Sequence, residues 1–231
     1  PRDDHANFYW LHEDLLRETA AADQFECTIW RPQVLLGSAP GAAMNPVATI
    51  GAYAALCRET WRPFALPRDS EALWELVDAD LLVEAMAWAA DAPQAAGETF
   101  NITNGDVFVL RHAWPELAAR MGLDPQGDAP DSFHALFTDP QSQPDWSRIS
   151  SRHGLIEPSL PALLGQSDQC LDLLLAPHIV AKASPALLST SKLRQAGFSG
   201  WRDRLPALPG PPGDAADPAP AVSAGANAHG G

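Results

Sequence analysis

The chain has 231 residues, of which 46% are hydrophobic, enough for a sizeable core in one domain or in a domain with an appendage. Its 29 acidic residues outnumber 15 basic ones, and the net charge of −14 argues against binding to nucleic-acid phosphates or to anionic membranes. Three cysteines without a CxxC pair are typical of reduced thiols, and no long apolar run or signal-peptide pattern occurs, so a cytoplasmic protein is expected.

The first part of the chain predicts a helix, a strand, a loop and a second helix. Helical spacing of leucines predicts a helix over Leu11–Ala22, and β-branched and aromatic residues predict a buried strand over Phe25–Gly37 with Pro32 at its end. The loop SAPGAAMN follows. Asn45 and Pro46 then form a helix start, with Asn45 as the N-cap and Pro46 at the first position.

The middle of the chain continues the alternation of strands and helices. A short strand is expected near Pro63–Leu66, and Asp78 is the expected N-cap of a helix with a clear apolar face. A strand is predicted over Glu98–Phe108, stopping at the turn Asn104-Gly105, and a helix over Arg111–Met121.

After residue 122 an irregular segment is predicted first, then further helices and a low-complexity tail. Residues 124–143 are rich in Pro, Asp, Gln and Ser and read as an irregular, exposed excursion. Helices are expected to resume over Trp146–His153, Gln169–Val180 and Pro185–Ala196. The segment 206–231 is dominated by Ala, Pro and Gly, and we expect it to be disordered because it offers little apolar area to bury.

Five segments in this order resemble a known family: NFYWLHED, RPQVLLGSAPGAAMN, DADLLVEAMAWAA, FNITNGDVF and STSKLRQAGF. Together they resemble the C-terminal portion of an extended short-chain dehydrogenase/reductase of the progesterone 5β-reductase and iridoid synthase group, bacterial type. The resemblance covers about residues 1 to 200. It implies an α/β fold, with an incomplete Rossmann-like NAD(P)-binding domain whose first strands are missing and a mostly helical substrate-capping region.

The resemblance also implies a division of the chain and a set of partners. Residues 1–122 would form the C-terminal half of the Rossmann-like domain with part of the cap, 123–205 the helical cap, and 206–231 the disordered tail. The expected cofactor is NADP(H), and the expected substrate is a small hydrophobic carbonyl compound. A homodimer is a further expectation, whereas nucleic acid and membrane are not expected as partners.

Tyr9 is the predicted catalytic residue. In this group the tyrosine after Asn-Phe hydrogen-bonds the substrate carbonyl while hydride is delivered to the β-carbon of an enone or enal, and the same residue contacts the cofactor. An ordinary phenol, with a pKa near 10, is protonated at neutral pH and can act as an oxyanion-hole donor. The position four residues later, a lysine in ordinary short-chain dehydrogenases, is Glu13 here.

The second segment carries the remaining predicted cofactor contacts. By the resemblance, Leu35, Ala42, Ala43 and Met44 approach the nicotinamide and its ribose, largely through backbone groups. Small residues suit a loop that must come close to a flat ligand. A connector before a capped helix is the alternative reading of the same residues.

Two other functions fit parts of the sequence. One is a nucleotide-sugar epimerase or dehydratase of the same superfamily, which would need cations for a diphosphate. The other is a non-catalytic remnant that lacks the cofactor loop, since no GxxGxxG pattern occurs. No metal site is expected, because the seven histidines show no metal-binding spacing.

Overall fold

The computed structural model describes residues 7–67, 71, 73–175 and 187–203. Nine helices and six strands, with one short 3₁₀ turn at Pro93–Ala95, make up this part of the chain. In chain order they are α1 Phe8–Asp23, β1 Ile29–Pro32, β2 Val34–Leu36, α2 Pro46–Thr60, β3 Leu73–Trp74, β4 Leu76–Asp78, α3 Ala79–Asp91, β5 Thr99–Ile102, β6 Phe108–Val109, α4 Leu110–Arg120, α5 Phe133–Thr138, α6 Ser142–His153, α7 Leu160–Leu164, α8 Ser167–Leu175 and α9 Ser191–Gln195.

The strands form three pairs, of which two are parallel. β1 pairs with β5 in the register Ile29 to Thr99, and β2 pairs with β4 in the register Leu35 to Val77. β3 and β6 pair antiparallel. Parallel pairs joined through helices are the signature of an α/β fold, so the predicted fold class is confirmed.

The helix starts follow the predicted caps. Asn45 Oδ1 accepts from Val47 N at 3.2 Å, and Pro46 is the first residue of α2. Asp78 Oδ1 accepts from Asp80 N at 2.8 Å at the start of α3. A side-chain oxygen satisfies one of the free N–H groups of the first turn in each case, which is why these sequence signals were reliable.

Helix α2 ends at an unusual residue. Trp61, its C-cap, has φ 57° and ψ 31°, the left-handed conformation that glycine commonly occupies at a helix end. Its side chain is 94% exposed. The conformation is therefore held by the backbone, with little packing of the indole to support it.

The larger hydrophobic core joins α2 and α4 to the helices after residue 130. Its centre is aromatic: Phe64 stacks on Trp114 with ring centroids 4.5 Å apart, and Tyr53 lies edge-on to Phe133 at 5.6 Å. Phe64 and Phe133 are fully buried. This core includes residues on both sides of the domain boundary expected near residue 122, and that boundary stays a prediction.

Several expected elements differ from the observed ones. The strand expected over Phe25–Gly37 is broken at Gln33, because β1 and β2 pair with different partners. The strand over Glu98–Phe108 is divided in the same way into β5 and β6. Pro63–Leu66 is not a strand, and the strands of that region are instead β3 and β4.

The prediction of an irregular segment at 124–143 was wrong in its second half. Helix α5 lies there and α6 starts at Ser142, since Phe133 and Phe137 are buried in the core and anchor the segment. Of the two last expected helices, the described parts are α8 and α9. Residues 176–186 and the tail 206–231 lie outside the described residues.

Asn104 joins the strand ends to the C-terminal segment. It is 1% exposed, its Oδ1 accepts from Asp78 N at 2.7 Å, and its Nδ2 donates to Asp203 O at 3.3 Å. Its backbone N–H donates to Leu76 O at 2.7 Å, and its carbonyl accepts from Arg202 N. Asn104 therefore has an architectural role, because it links the end of β4 to residues 202 and 203.

None of the described helices has the length and apolar character needed to cross a membrane.

Candidate functional site

Tyr9 lies in the first turn of α1 with its side chain in solvent. Asn7 caps the helix by accepting from Tyr9 N at 3.0 Å, and the phenol is 56% exposed. The Tyr9 ring packs on Phe8, with centroids 4.1 Å apart. Tyr9 is thus on the surface and not in the hydrophobic interior, so a ligand can reach its side chain.

Polar contacts hold α1 beside the parallel pair β1–β5. Glu13 accepts two hydrogen bonds from Arg31 of β1, at 2.8 and 2.6 Å. Arg17 donates to Gly97 O at 3.2 Å and to Thr99 Oγ1 at 2.6 Å. Glu13, in the position of the missing lysine, thus contacts the protein itself.

Part of the exposed surface of α1 is apolar. Large side chains at helical spacing remain substantially exposed along it: Phe8, Leu11, Leu15 and Leu16. The leucine spacing correctly predicted the helix, but these leucines lie outside the core of the described residues.

The predicted cofactor segment starts in β2 and continues as a loop at its carboxyl end. Leu35, in the middle of β2, is 41% exposed, and Met44, at the end of the loop, is 64% exposed. Ala42 is half-buried and Ala43 is exposed. The loop lies where open α/β sheets bind ligands, because β2 is a parallel strand and residues 37–45 leave its carboxyl end.

Asn45 holds the two ends of this loop together. The residue is 5% exposed, and its Nδ2 donates to Gly37 O at 2.8 Å and to Ala39 O at 3.4 Å. The same side chain caps α2 through its oxygen. One amide therefore fixes both the loop and the start of the helix that follows it.

The middle of the loop is bonded to the helical region. Gly41 N donates to Leu163 O, the penultimate residue of α7, at 2.7 Å. Sequence reasoning missed this contact and α7 itself. The run SLPALLG carried a signal for α7, with Ser159 as N-cap, proline in the first turn and Gly165 after the end.

Leu35 and the residues 42–44 thus share one strand–loop unit, while Tyr9 belongs to another element. Within the described residues, no hydrogen bond or ring contact joins Tyr9 to Leu35 or to the loop. Their assignment to one site stays a prediction.

Lys192, at the start of α9, is engaged within the protein. It forms an ion pair with Glu98 and donates to Thr99 O at 3.1 Å. The hydrogen bond from Lys192, with its charge, lowers the pKa of Glu98. This contact joins α9 to β5, so the lysine has a structural role in the described part of the chain.

No protein-family model matches the chain. The "(S)-8-oxocitronellyl enol synthase" of Antirrhinum majus is 32% identical over 210 residues, which are 88% of this chain and 52% of that enzyme. The "3-oxo-Delta(4,5)-steroid 5-beta-reductase" of Arabidopsis thaliana is 37% identical over 132 residues, or 55% of this chain and 34% of that enzyme. The chain therefore spans about half or less of the length of these relatives.

Likeness to solved structures is more distant. The terminal R domain from the myxalamid PKS-NRPS biosynthetic pathway has a TM-score of 0.49 and 18% identity, over 86% of this chain and 45% of that one.

The two enzyme matches agree with the motifs around Tyr9 and Asn104. The chain is a relative of the 8-oxocitronellyl enol synthase and steroid 5β-reductase group of extended short-chain dehydrogenases/reductases, the group that these motifs predicted.

Proposed function

We propose that this chain is the substrate-side part of an NADP(H)-dependent reductase that adds hydride to a C=C bond conjugated to a carbonyl, as in an enone or enal. The relatives' names support this reaction class, since one is an enol synthase and the other a reductase of 3-oxo steroids. A dinucleotide-binding half would complete the enzyme, because the 231 residues contain no GxxGxxG pattern.

The observation that carries the proposal is the exposed phenol of Tyr9 in the NFY motif. A neutral hydroxyl can donate a hydrogen bond to the carbonyl oxygen of the substrate. That oxygen gains negative charge as the conjugated bond is reduced, so the hydrogen bond is stronger in the transition state than in the ground state. The bound dinucleotide would supply the hydride.

The loop would hold the cofactor and the substrate near that hydroxyl. Leu35 and Met44 present exposed apolar surface, which suits a flat nicotinamide or a small hydrophobic carbonyl compound. Ala42 and Ala43 have short side chains, so a ligand can approach the backbone of the loop. Asn45 keeps this surface in place through its bonds to Gly37 and Ala39.

The direct test replaces each of the two tyrosines by phenylalanine in a protein that joins this chain to a dinucleotide-binding half. Tyr9→Phe removes the proposed donor, and Tyr53→Phe is the matched control. Tyr53 is 2% exposed and donates to Ala65 O at 2.7 Å, so the control removes a buried hydroxyl remote from solvent.

We expect Tyr9→Phe to lower kcat for an enone by about 10²- to 10³-fold, the usual effect of losing one oxyanion donor, with NADPH affinity unchanged. Tyr53→Phe should reduce thermal stability and leave kcat within a few-fold. Equal kcat values for wild type and Tyr9→Phe would remove Tyr9 from the mechanism.

The homodimer and the cytoplasmic location expected from the sequence remain predictions. Light scattering of the purified protein gives the oligomeric state, and a mass of one protomer would contradict the first of them.

A further inference from the structure

The loop that follows β2 touches the turn that follows α7, backbone against backbone. Besides the bond from Gly41 N to Leu163 O, the two glycines lie against each other. A Cβ added to Gly165 would be 2.4 Å from Gly41 O and 2.8 Å from Gly41 C. A Cβ added to Gly41 would be 3.1 Å from Ala162 O. We call this contact between Gly41 and the segment 162–165 the glycine seam.

Both glycines of the seam also have a backbone conformation that favours glycine. Gly41 has φ +77°, and Gly165 has φ +57° with ψ −107°. A side chain at either position is disfavoured by its own backbone and by the opposite segment. The seam therefore depends on glycine on both sides.

The α7 side of the seam is firmly anchored. Leu160 and Leu164 are 1% and 3% exposed in the main core. Leu160 N donates to Gln143 Oε1 at 3.0 Å, and Ser167, itself buried, donates to Leu164 O. Displacing α7 would disturb the packing of these leucines, so it resists movement.

The loop side is anchored at its ends and exposed in the middle. Asn45 holds the ends through its bonds to Gly37 O and Ala39 O, and Gly41, Ala43 and Met44 are exposed. A substitution that strains the seam should therefore displace the middle of the loop and leave α7 in place.

We propose that Gly165 is a positioning residue, which sets the place of residues 41–44 through the seam and thereby the geometry of ligand binding at Ala42, Ala43 and Met44. The ligand part of this inference rests on the proposed function. The seam makes the helical region and the ligand loop one mechanical unit, so the helices after residue 142 help to determine which ligand fits.

The test compares Gly165→Ala with Gly154→Ala. Gly154 ends α6 with φ +61°, and a Cβ there meets nothing within 4 Å. Both variants place alanine at a positive φ, but Gly165→Ala alone pushes against Gly41. Gly41→Ala is a second variant that strains the seam from the loop side, should Gly165→Ala fail to fold.

The first readout is amide hydrogen exchange without any ligand. We expect the protection factor of the residue-41 amide to fall about 10-fold or more in Gly165→Ala and Gly41→Ala, relative to Gly154→Ala. The Cys170 amide, which donates to Gln166 O at 3.0 Å in α8, should keep its protection. An unchanged exchange rate at residue 41 in Gly165→Ala would contradict the proposal that the glycine seam holds the loop. An equally faster rate at residue 41 in Gly154→Ala would contradict it as well.

The second readout is steady-state kinetics in the completed enzyme. We expect KM for NADPH or the enone to rise about 10-fold in Gly165→Ala, with kcat within about 3-fold of wild type and of Gly154→Ala. Faster exchange at Gly41 with an unchanged KM overturns the positioning role. If exchange rises but the wild type reduces no enone, the proposed function fails and the seam stands.

Discussion

Glu13 and Arg31 form a bidentate ion pair that joins α1 to β1, with Nε–Oε1 and Nη2–Oε2 distances of 2.8 and 2.6 Å. Glu13 occupies the position four residues after Tyr9, where ordinary short-chain dehydrogenases place a cofactor-binding lysine. A lysine at this position would face the Arg31 guanidinium. The ion pair therefore explains why the usual Tyr-x-x-x-Lys pattern does not fit this chain.

Glu13→Lys should lower stability and should not improve catalysis. The variant loses a charge-assisted pair, in which the glutamate side chain is 12% exposed, and sets two like charges against each other. We expect a loss of about 1–2 kcal/mol in the free energy of unfolding, measured by urea denaturation. Glu18→Lys, an exposed site on the same helix, is the control and should change stability by less than about 0.5 kcal/mol. Equal effects of the two variants would contradict this role of the pair.

Asn104→Ala should be among the most damaging single changes in the described residues. It leaves the N–H of the partly buried Asp78 without its acceptor and removes a side chain that is 1% exposed. We expect a loss of about 2–4 kcal/mol, because a partly buried donor loses its partner and a small cavity forms at the buried position of Asn104.

Asn101→Ala is the comparison for that measurement. Asn101 is partly exposed and donates one bond, to Ser189 O at 3.1 Å, so its loss should cost about 1 kcal/mol or less. Thermal and urea unfolding of both variants would show the difference. A smaller loss of stability in Asn104→Ala than in Asn101→Ala would contradict the structural role assigned to Asn104.

Cys57 should resist alkylation in the folded protein. Its thiol is 3% exposed, and burial raises its pKa from the usual 9.0 to about 11, so little reactive thiolate forms at pH 8. Mass spectrometry after iodoacetamide treatment should find Cys27 modified first and Cys57 modified after unfolding. Rapid modification of Cys57 in the native protein would contradict its burial.

The same thiol should make stability fall at alkaline pH. Because the pKa is higher in the folded state, the unfolded chain loses its proton first as the pH rises above 9. The contribution of Cys57 is therefore complete below pH 9 and is lost as the pH approaches 11. Cys57→Ala should reduce the slope of stability against pH in this range, and an unchanged slope would contradict the raised pKa of this thiol.

The 231-residue polypeptide should bind NADPH only weakly. It carries the proposed nicotinamide loop but no glycine-rich turn for the pyrophosphate, which usually provides much of the affinity. We expect a fluorescence titration to show no saturation at micromolar NADPH. Micromolar affinity would mean that the pyrophosphate site is built from other residues.

Helix starts could be predicted from the sequence because their signals are local. Asn45-Pro46 and Asp78 specify a cap within a few residues, and the structure has both. Strand limits were less predictable because they depend on partners far along the chain. β1 and β2 read as one strand until each is seen to pair with a different partner.

In the candidate site, too, local features could be predicted from the sequence, whereas contacts between distant segments could not. The helix that carries Tyr9 and the loop after β2 followed from local sequence patterns, but the glycine seam did not, and the assignment of Tyr9 and the loop to one site stays a prediction. Gly41 and Gly165 are distant in sequence, and each reads alone as an ordinary turn glycine. Helix α5 was hidden for a similar reason, since Asp172 of α8 accepts from the Phe133 and His134 N–H groups at 2.9 Å and completes the start of that helix from a distance.

The left-handed conformation of Trp61 identifies a substitution that should raise the thermal stability of the protein. A non-glycine residue in the left-handed conformation costs about 1 kcal/mol of stability relative to glycine. The indole of Trp61 is exposed to solvent and offsets little of this cost by packing. Trp61→Gly should therefore raise the melting temperature by a few degrees without touching the loop or Tyr9. The end of α2 is therefore a suitable site at which to stabilise the protein before further mutagenesis.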